Sequence, residues 1–231
     1  MLLSTPGLVL HTTPYSESSV VAKVFTRQLG LRSYIIKGVR GNRSRTKQNL
    51  LQPLTSLDMV VYNNEKTDLN YIKELSPRHP ETDSTPIANA LRFFMTEVMY
   101  KSLREAEPMP ALFDYVESTN STLLSSHPSL PIVFLLTVAR HLGIEPLDNY
   151  CTREPYFCLD EGRFVSSPNE TTLSSTLSSL LHEYLNHSLL SPHSSLDNRT
   201  ALIDSLLAYY HLHLSGFSHF HSHEILHTIL K

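Results

Sequence analysis

An α+β chain is expected, with an N-terminal five-stranded β-barrel followed by an all-helical domain that carries a small inserted hairpin. Three observations predict it. Residues 1–77 break into five short runs rich in Val, Ile, Leu, Tyr and Phe, separated by Pro, Gly, Asn and charged residues. After Pro77-Arg78-His79-Pro80 the apolar residues change from alternate positions to helical spacing. Charge divides at the same place: residues 1–80 hold eleven Lys+Arg against five Asp+Glu, a net of +6, and the remainder is −9 within a total of −3. The expected domains are therefore 1–77, a linker at 78–82, and 83–231 with an insertion at 148–168. Opposite charges on the two halves point to different partners.

The five runs are Gly7–His11, Ser18–Thr26, Leu31–Lys37, Leu57–Tyr62 and Leu69–Leu75. In the second, Val20, Ala22 and Val24 alternate with Val21, Lys23 and Phe25; in the third, Leu31, Ser33 and Ile35 alternate with Arg32, Tyr34 and Ile36. Period two with polar positions on one face marks half-buried strands. A barrel of the oligonucleotide-binding (OB) type fits the strand count, and so does a small SH3-like barrel.

Beyond the linker, Asp83 or Ser84 is placed to cap a helix from Pro86, along which Ile87, Leu91, Phe94, Met95, Val98, Met99 and Leu103 form one stripe. Met109–Leu124 and the nearly all-apolar Leu130–Leu142 follow. Thr172–Leu190, Leu196–Leu214 and a short helix near Glu224–Leu230 complete the set. Between residues 148 and 168 the Asp160-Glu161-Gly162 turn, flanked by apolar residues, reads as the hairpin.

The most pointed chemistry lies at Lys37–Lys47, where Lys37, Arg40, Arg43, Arg45 and Lys47 fall within eleven residues and no carboxylate interrupts them. Arginine offers phosphate a planar fork, lysine a point charge, and Asn42, Ser44 and Thr46 add neutral donors. On a barrel this run connects the third strand to the fourth. Lys23, Arg27 and Arg32 extend the basic surface, although each also reads as a solvated strand residue. Tyr15, Phe25, Tyr34 and Tyr71 are candidate base-stacking platforms, with filling of the barrel core as the competing role and the better one for Phe25. The expected DNA-binding set is Lys37, Arg40, Arg43, Arg45, Lys47, Arg32, Lys23, Arg27 and Tyr34.

Other functions find little support. The chain has no phosphate-cradling Gly-x-x-x-x-Gly-Lys-Ser/Thr, no Gly-x-Ser-x-Gly elbow and no His-Glu-x-x-His, so no enzyme is expected. Two cysteines, Cys151 and Cys158, are too few for a disulfide framework or a four-ligand zinc site. Histidines crowd the end of the chain at His211, His213, His219, His221, His223 and His227, without the carboxylate or cysteine pattern of a metal site. No cofactor is expected. The N-terminus lacks the regions of a signal peptide, and the most apolar run, Leu130–Ala139, is too short to span a bilayer. A cytoplasmic protein with no membrane contact is expected.

The N-terminal residues resemble those of the bacterial recombination mediator RecO family. The likeness rests on Leu8-Val9-Leu10, Tyr15-Ser16-Glu17, Val24-Phe25-Thr26-Arg27, Gly30, Lys37-Gly38-Val39-Arg40, Arg43-Ser44-Arg45 and Leu51-Gln52-Pro53-Leu54, in order and at the family's spacing. Phe134–Pro146 is similar to the family's apolar helix ending in Leu-Gly and a proline. The resemblance implies an OB barrel and a helical domain that bind single- and double-stranded DNA and anneal complementary strands. It also implies cooperation with RecR to displace single-strand-binding protein and load RecA at gaps. Members are also held to dock the acidic, apolar tail of single-strand-binding protein on the helical domain, where Arg92, Lys101, Arg104 and Arg140 are the available cations. Many carry a four-cysteine zinc module; this chain departs from that pattern, and no zinc is expected. The competing reading is a non-enzymatic interaction module whose barrel binds an acidic peptide partner.

Overall fold

The computed structural model describes residues 1–39, 48–64, 67–79, 85–104, 107–123, 127–186, 194–217 and 220–222. Five strands, β1 (Leu2–Pro14), β2 (Ser19–Thr26), β3 (Gly30–Lys37), β4 (Ser56–Tyr62) and β5 (Leu69–Pro77), close a barrel in the order β1-β2-β3-β5-β4. β3 and β5 run parallel and the other pairs antiparallel. This is OB-fold topology, and it decides between the two barrels that the strand count allowed. β1 starts well before the expected Gly7 because its first half pairs with β4 and its second half with β2. One continuous strand thereby closes the barrel, leaving no sheet edge.

Strand register sorts side chains into an inner and an outer set. Val9, Val20, Ala22, Val24, Tyr34, Ile36, Leu57, Met59 and Val61 meet in the interior, with Val39 and Leu51 closing on them. Gly7 lies on that inner side, where a Cβ would come within 2.6 Å of both Met59 and Val24. After the basic run, Gln48 and Asn49 are helical and the chain then turns. Leu54 adopts a φ of 54° there, and its amide bonds to the Val9 carbonyl at 2.8 Å.

Two compact units divide the chain, Met1–Leu124 and Ser125–Lys231. The first therefore includes α1 (Pro86–Ser102) and α2 (Pro110–Ser121) as well as the barrel. Composition changes at residues 77–83, but packing draws both helices onto outward-facing strand residues. Phe25, outward by register, is fully buried against Phe113 of α2 at 5.7 Å between rings, and His11 of β1 stacks on Tyr100 of α1 at 4.8 Å. Phe25 is thus a core residue, though not of the barrel interior. Thr85, rather than Asp83 or Ser84, caps α1 by accepting a bond from the Ala88 amide.

The second unit holds α3 (Leu130–His141), the hairpin β6 (Tyr156–Cys158) and β7 (Arg163–Val165), α4 (Ser175–Asn186) and α5 (Leu196–His213). α3 is central here, with Ile132, Phe134, Leu135, Val138 and Ala139 buried. Tyr210 of α5 donates its hydroxyl hydrogen to the Leu135 carbonyl at 2.6 Å, satisfying a buried polar group. The hairpin packs Phe157 edge-on to Phe164 at 5.1 Å. The helix expected at Glu224–Leu230 lies outside the described residues. No described helix is long and apolar enough to cross a membrane.

Candidate nucleic-acid interface

The register that buries Ala22, Val24, Tyr34 and Ile36 turns the intervening residues outward. Lys23 pairs with Ser33, Val21 with Ile35, and Ser19 with Lys37 across β2 and β3. Ile35 pairs with Tyr71 of β5, Tyr71 with Tyr62 of β4, and Tyr62 with Leu2 of β1. A band of outward residues consequently crosses β3, β5 and β4. Tyr71 and Tyr62 keep 46% and 48% of their surface exposed. The Lys37 ammonium sits 5.2 Å from the centre of the Tyr71 ring, a cation–π contact worth about 0.5–1 kcal/mol at an exposed site.

Of the nine residues expected to bind DNA, Arg40, Arg43, Arg45 and Lys47 lie outside the described residues. Lys37, the last residue of β3, and Lys23 share the outer face. The other three are not brought to it. Tyr34 points inward: its ring is 1% exposed within the barrel core and its hydroxyl has no hydrogen-bond partner, so it is no stacking platform. Burial pushes its phenol up to about 12. Arg27 gives its fork to Asp114 of α2, with Nε and Nη2 at 2.7 and 2.9 Å from the two carboxylate oxygens. That bond raises the guanidinium pKa and lowers that of Asp114, and it offsets the cation. Arg32 falls on the inward parity opposite Val24 and bonds the Leu29 carbonyl at 3.1 Å, about 16 Å along the strand from Lys37.

Other N-terminal cations also have carboxylate partners. Arg78 bonds Asp58 at 2.7 Å and Glu117 at 3.1 Å, and Lys73 meets Glu74 at 3.3 Å. Tyr62 lies outside the expected set, although the alternation of Met59 and Val61 with Val60 and Tyr62 carries the signal for an outward ring.

The four cations considered for partner docking differ in their surroundings. Arg92 and Lys101 are nine residues apart on α1, which puts them on opposite sides of the helix. Lys101 pairs with Glu97 at 2.8 Å, Arg104 is exposed past the helix end, and Arg140, in the other compact unit, pairs with Glu145 at 2.6 Å. Arg92 bonds Asn120 and Asn89 at 3.2 and 3.1 Å, and burial lowers its pKa. It lines a cleft of about 430 Å³ with Phe93, Gln52, His79, Asn89 and Asn120.

Residues 1–80 match the family model described as recombination protein O N terminal, and residues 84–222 match the one described as recombination protein O C terminal. The chain belongs to the recombination protein O family. Within this family of DNA repair and recombination proteins, the DNA repair protein RecO of Flavobacterium psychrophilum is 30% identical over 244 residues, covering 100% of both chains. Those of Christiangramia forsetii and Phocaeicola vulgatus are each 28% identical, over 94% and 98% of both chains respectively. The boundary between the two family models coincides with the change in composition, whereas the compact units divide after α2.

The four-cysteine zinc module of some family members does not fit the residues present. Cys151 is exposed and Cys158 buried. The Cys158 sulfur lies 3.5 Å from Thr171 Oγ1 and 3.6 Å from Asn169 Nδ2, both neutral side chains. Burial alone would push this thiol up; hydrogen bonds from Thr171, Asn169 and the Glu161 and Asp160 amides bring it below the ordinary value. Among the described residues, no three His, Cys, Asp or Glu side chains converge as metal ligands would.

Proposed function

We propose that this chain is a DNA-binding recombination mediator that works without covalent chemistry. It binds single- and double-stranded DNA on the outer face of the barrel and anneals complementary strands. With RecR it helps displace single-strand-binding protein and load RecA at gaps. The observation that carries this reading is Lys37 over the exposed Tyr71, where β3 runs into a sequence bearing four more cations within ten residues. Cations on that face neutralise phosphates on strands that otherwise repel, and binding both strands raises their local concentration.

Family membership supports the partners. For the acidic, apolar tail of single-strand-binding protein, the cleft beside Arg92 and Phe93 offers a cation next to an exposed ring. A cytoplasmic, nucleoid-associated location accords with these roles. Annealing of complementary oligonucleotides, bare and coated with single-strand-binding protein, tests the proposal. Acceleration on bare strands, and retention of it on coated strands with RecR present, is expected. Annealing at the spontaneous rate throughout would overturn it.

A further inference from the structure

The outer tyrosines carry a further inference, which rests on the DNA-binding reading and deepens it. We propose that Tyr71 and Tyr62 form a two-ring platform for unpaired bases, which makes this face selective for single-stranded over double-stranded DNA. The two residues are direct partners in the antiparallel β4–β5 ladder, and both project from the outer side of the barrel. Directly opposed Cβ atoms in such a ladder lie about 5 Å apart, close enough for neighbouring bases of one strand to engage adjacent rings. The exposure of both rings is the second observation: aromatic surface left in water on adjacent strands, with the Lys37 ammonium over one ring, fits a ligand with flat apolar faces and a negative backbone.

Lys37 shows how such a ligand enters. Its ammonium covers the Tyr71 ring face, and a base and that cation cannot share the position. An exposed cation–π contact shifts an equilibrium by about two- to fivefold, whereas a base stacked on an aromatic ring contributes about 5- to 150-fold. The base wins the ring. The flexible lysine stem then carries the displaced ammonium toward the adjoining phosphate, where it still neutralises charge. Lys37 thus protects the ring in the free protein and pairs with the strand in the complex. A duplex cannot make this exchange, because its base faces are already stacked on one another, and it is left with the phosphate contacts alone.

The test compares affinities of the full chain for a random-sequence 30-nucleotide single strand and the matching duplex. Tyr71→Leu and Tyr62→Leu keep apolar bulk and remove the ring, and Tyr71→Phe keeps the ring. Each Leu variant is expected to lose about 5- to 150-fold in single-strand affinity, with duplex affinity held within about twofold and Tyr71→Phe close to the unchanged chain. Because the chain has no tryptophan, Tyr71→Trp places one indole reporter on the platform, and its fluorescence should be quenched by oligo(dT). Equal losses on both substrates, or no loss on either together with an unquenched indole in the Tyr71→Trp variant, would overturn the platform while leaving DNA binding intact. If the unchanged chain binds neither substrate at low salt, the DNA-binding reading falls, and the platform falls with it.

Discussion

Arg27 and Asp114, 87 residues apart, meet fork to fork, with both guanidinium contacts at 2.9 Å or less. The pair ties the end of β2 to α2 and takes one basic residue out of the DNA-binding set. Both side chains are about half exposed, so the pair adds little to stability and screens readily with salt. Arg27→Ala is expected to leave the salt dependence of DNA binding unchanged, whereas Lys37→Ala lowers its single-strand log-log slope by about 0.7. Parallel salt titrations of the two variants check this. An equal reduction would return Arg27 to the phosphate-binding set.

The same pair has a pH signature. The bond to Arg27 holds the Asp114 carboxyl below its ordinary range. A depressed carboxylate contributes stability above its unfolded value of about 3.9, and that contribution is lost as pH falls through the lower folded value. Asp114→Asn is therefore expected to reduce stability at pH 7 slightly and to be closer to the unchanged chain near pH 3. Chemical denaturation at the two pH values gives the comparison.

Tyr34 yields a prediction of the opposite kind. Its hydroxyl is buried without a partner, which costs roughly 1–3 kcal/mol. Tyr34→Phe removes that cost and fills the same space, so it should raise stability by about 1 kcal/mol and leave DNA affinity untouched. Its phenol ionises near 12, so folding strength from this site is complete below the unfolded value of about 10. It falls as pH climbs from there towards 12. The Tyr34→Phe variant should lack that alkaline loss in urea denaturation followed from pH 8 to 11.

Gly30 sits at φ 69°, and a Cβ there would fall 2.4 Å from the Glu107 carbonyl oxygen. Both the left-handed backbone and the close approach demand glycine. Gly30→Ala is expected to cost about 1–3 kcal/mol, read as a lower denaturation midpoint with an unchanged slope.

The strands were legible because period-two alternation survives in Val20–Val24 and Leu31–Ile36, and the helices because their apolar stripes are long. Alternation alone puts Arg32, Tyr34 and Ile36 on one face without saying whether that face looks inward. Closure of the barrel decides it, and that depends on β1 pairing with both β2 and β4. The Arg27–Asp114 and Arg78–Glu117 pairs were equally hidden, since contacts between distant residues leave no local pattern. Packing of Phe113 on Phe25 is likewise a tertiary choice, and it is what draws α2 into the barrel's unit despite the composition change at residue 77. Tyr62 is readable from its parity, but its place at the end of a strand hides that the ring stays in water.

The most direct test of a cationic outer face is the salt dependence of single-strand binding, comparing the unchanged chain with a variant in which Lys23, Lys37, Arg40, Arg43, Arg45 and Lys47 are all alanine. With three to five phosphates contacted, the unchanged chain should show a log-log slope of about −2 to −3.5, collapsing towards zero in the variant at unaltered thermal stability. The same slope in both proteins would contradict the account and place DNA elsewhere on the molecule.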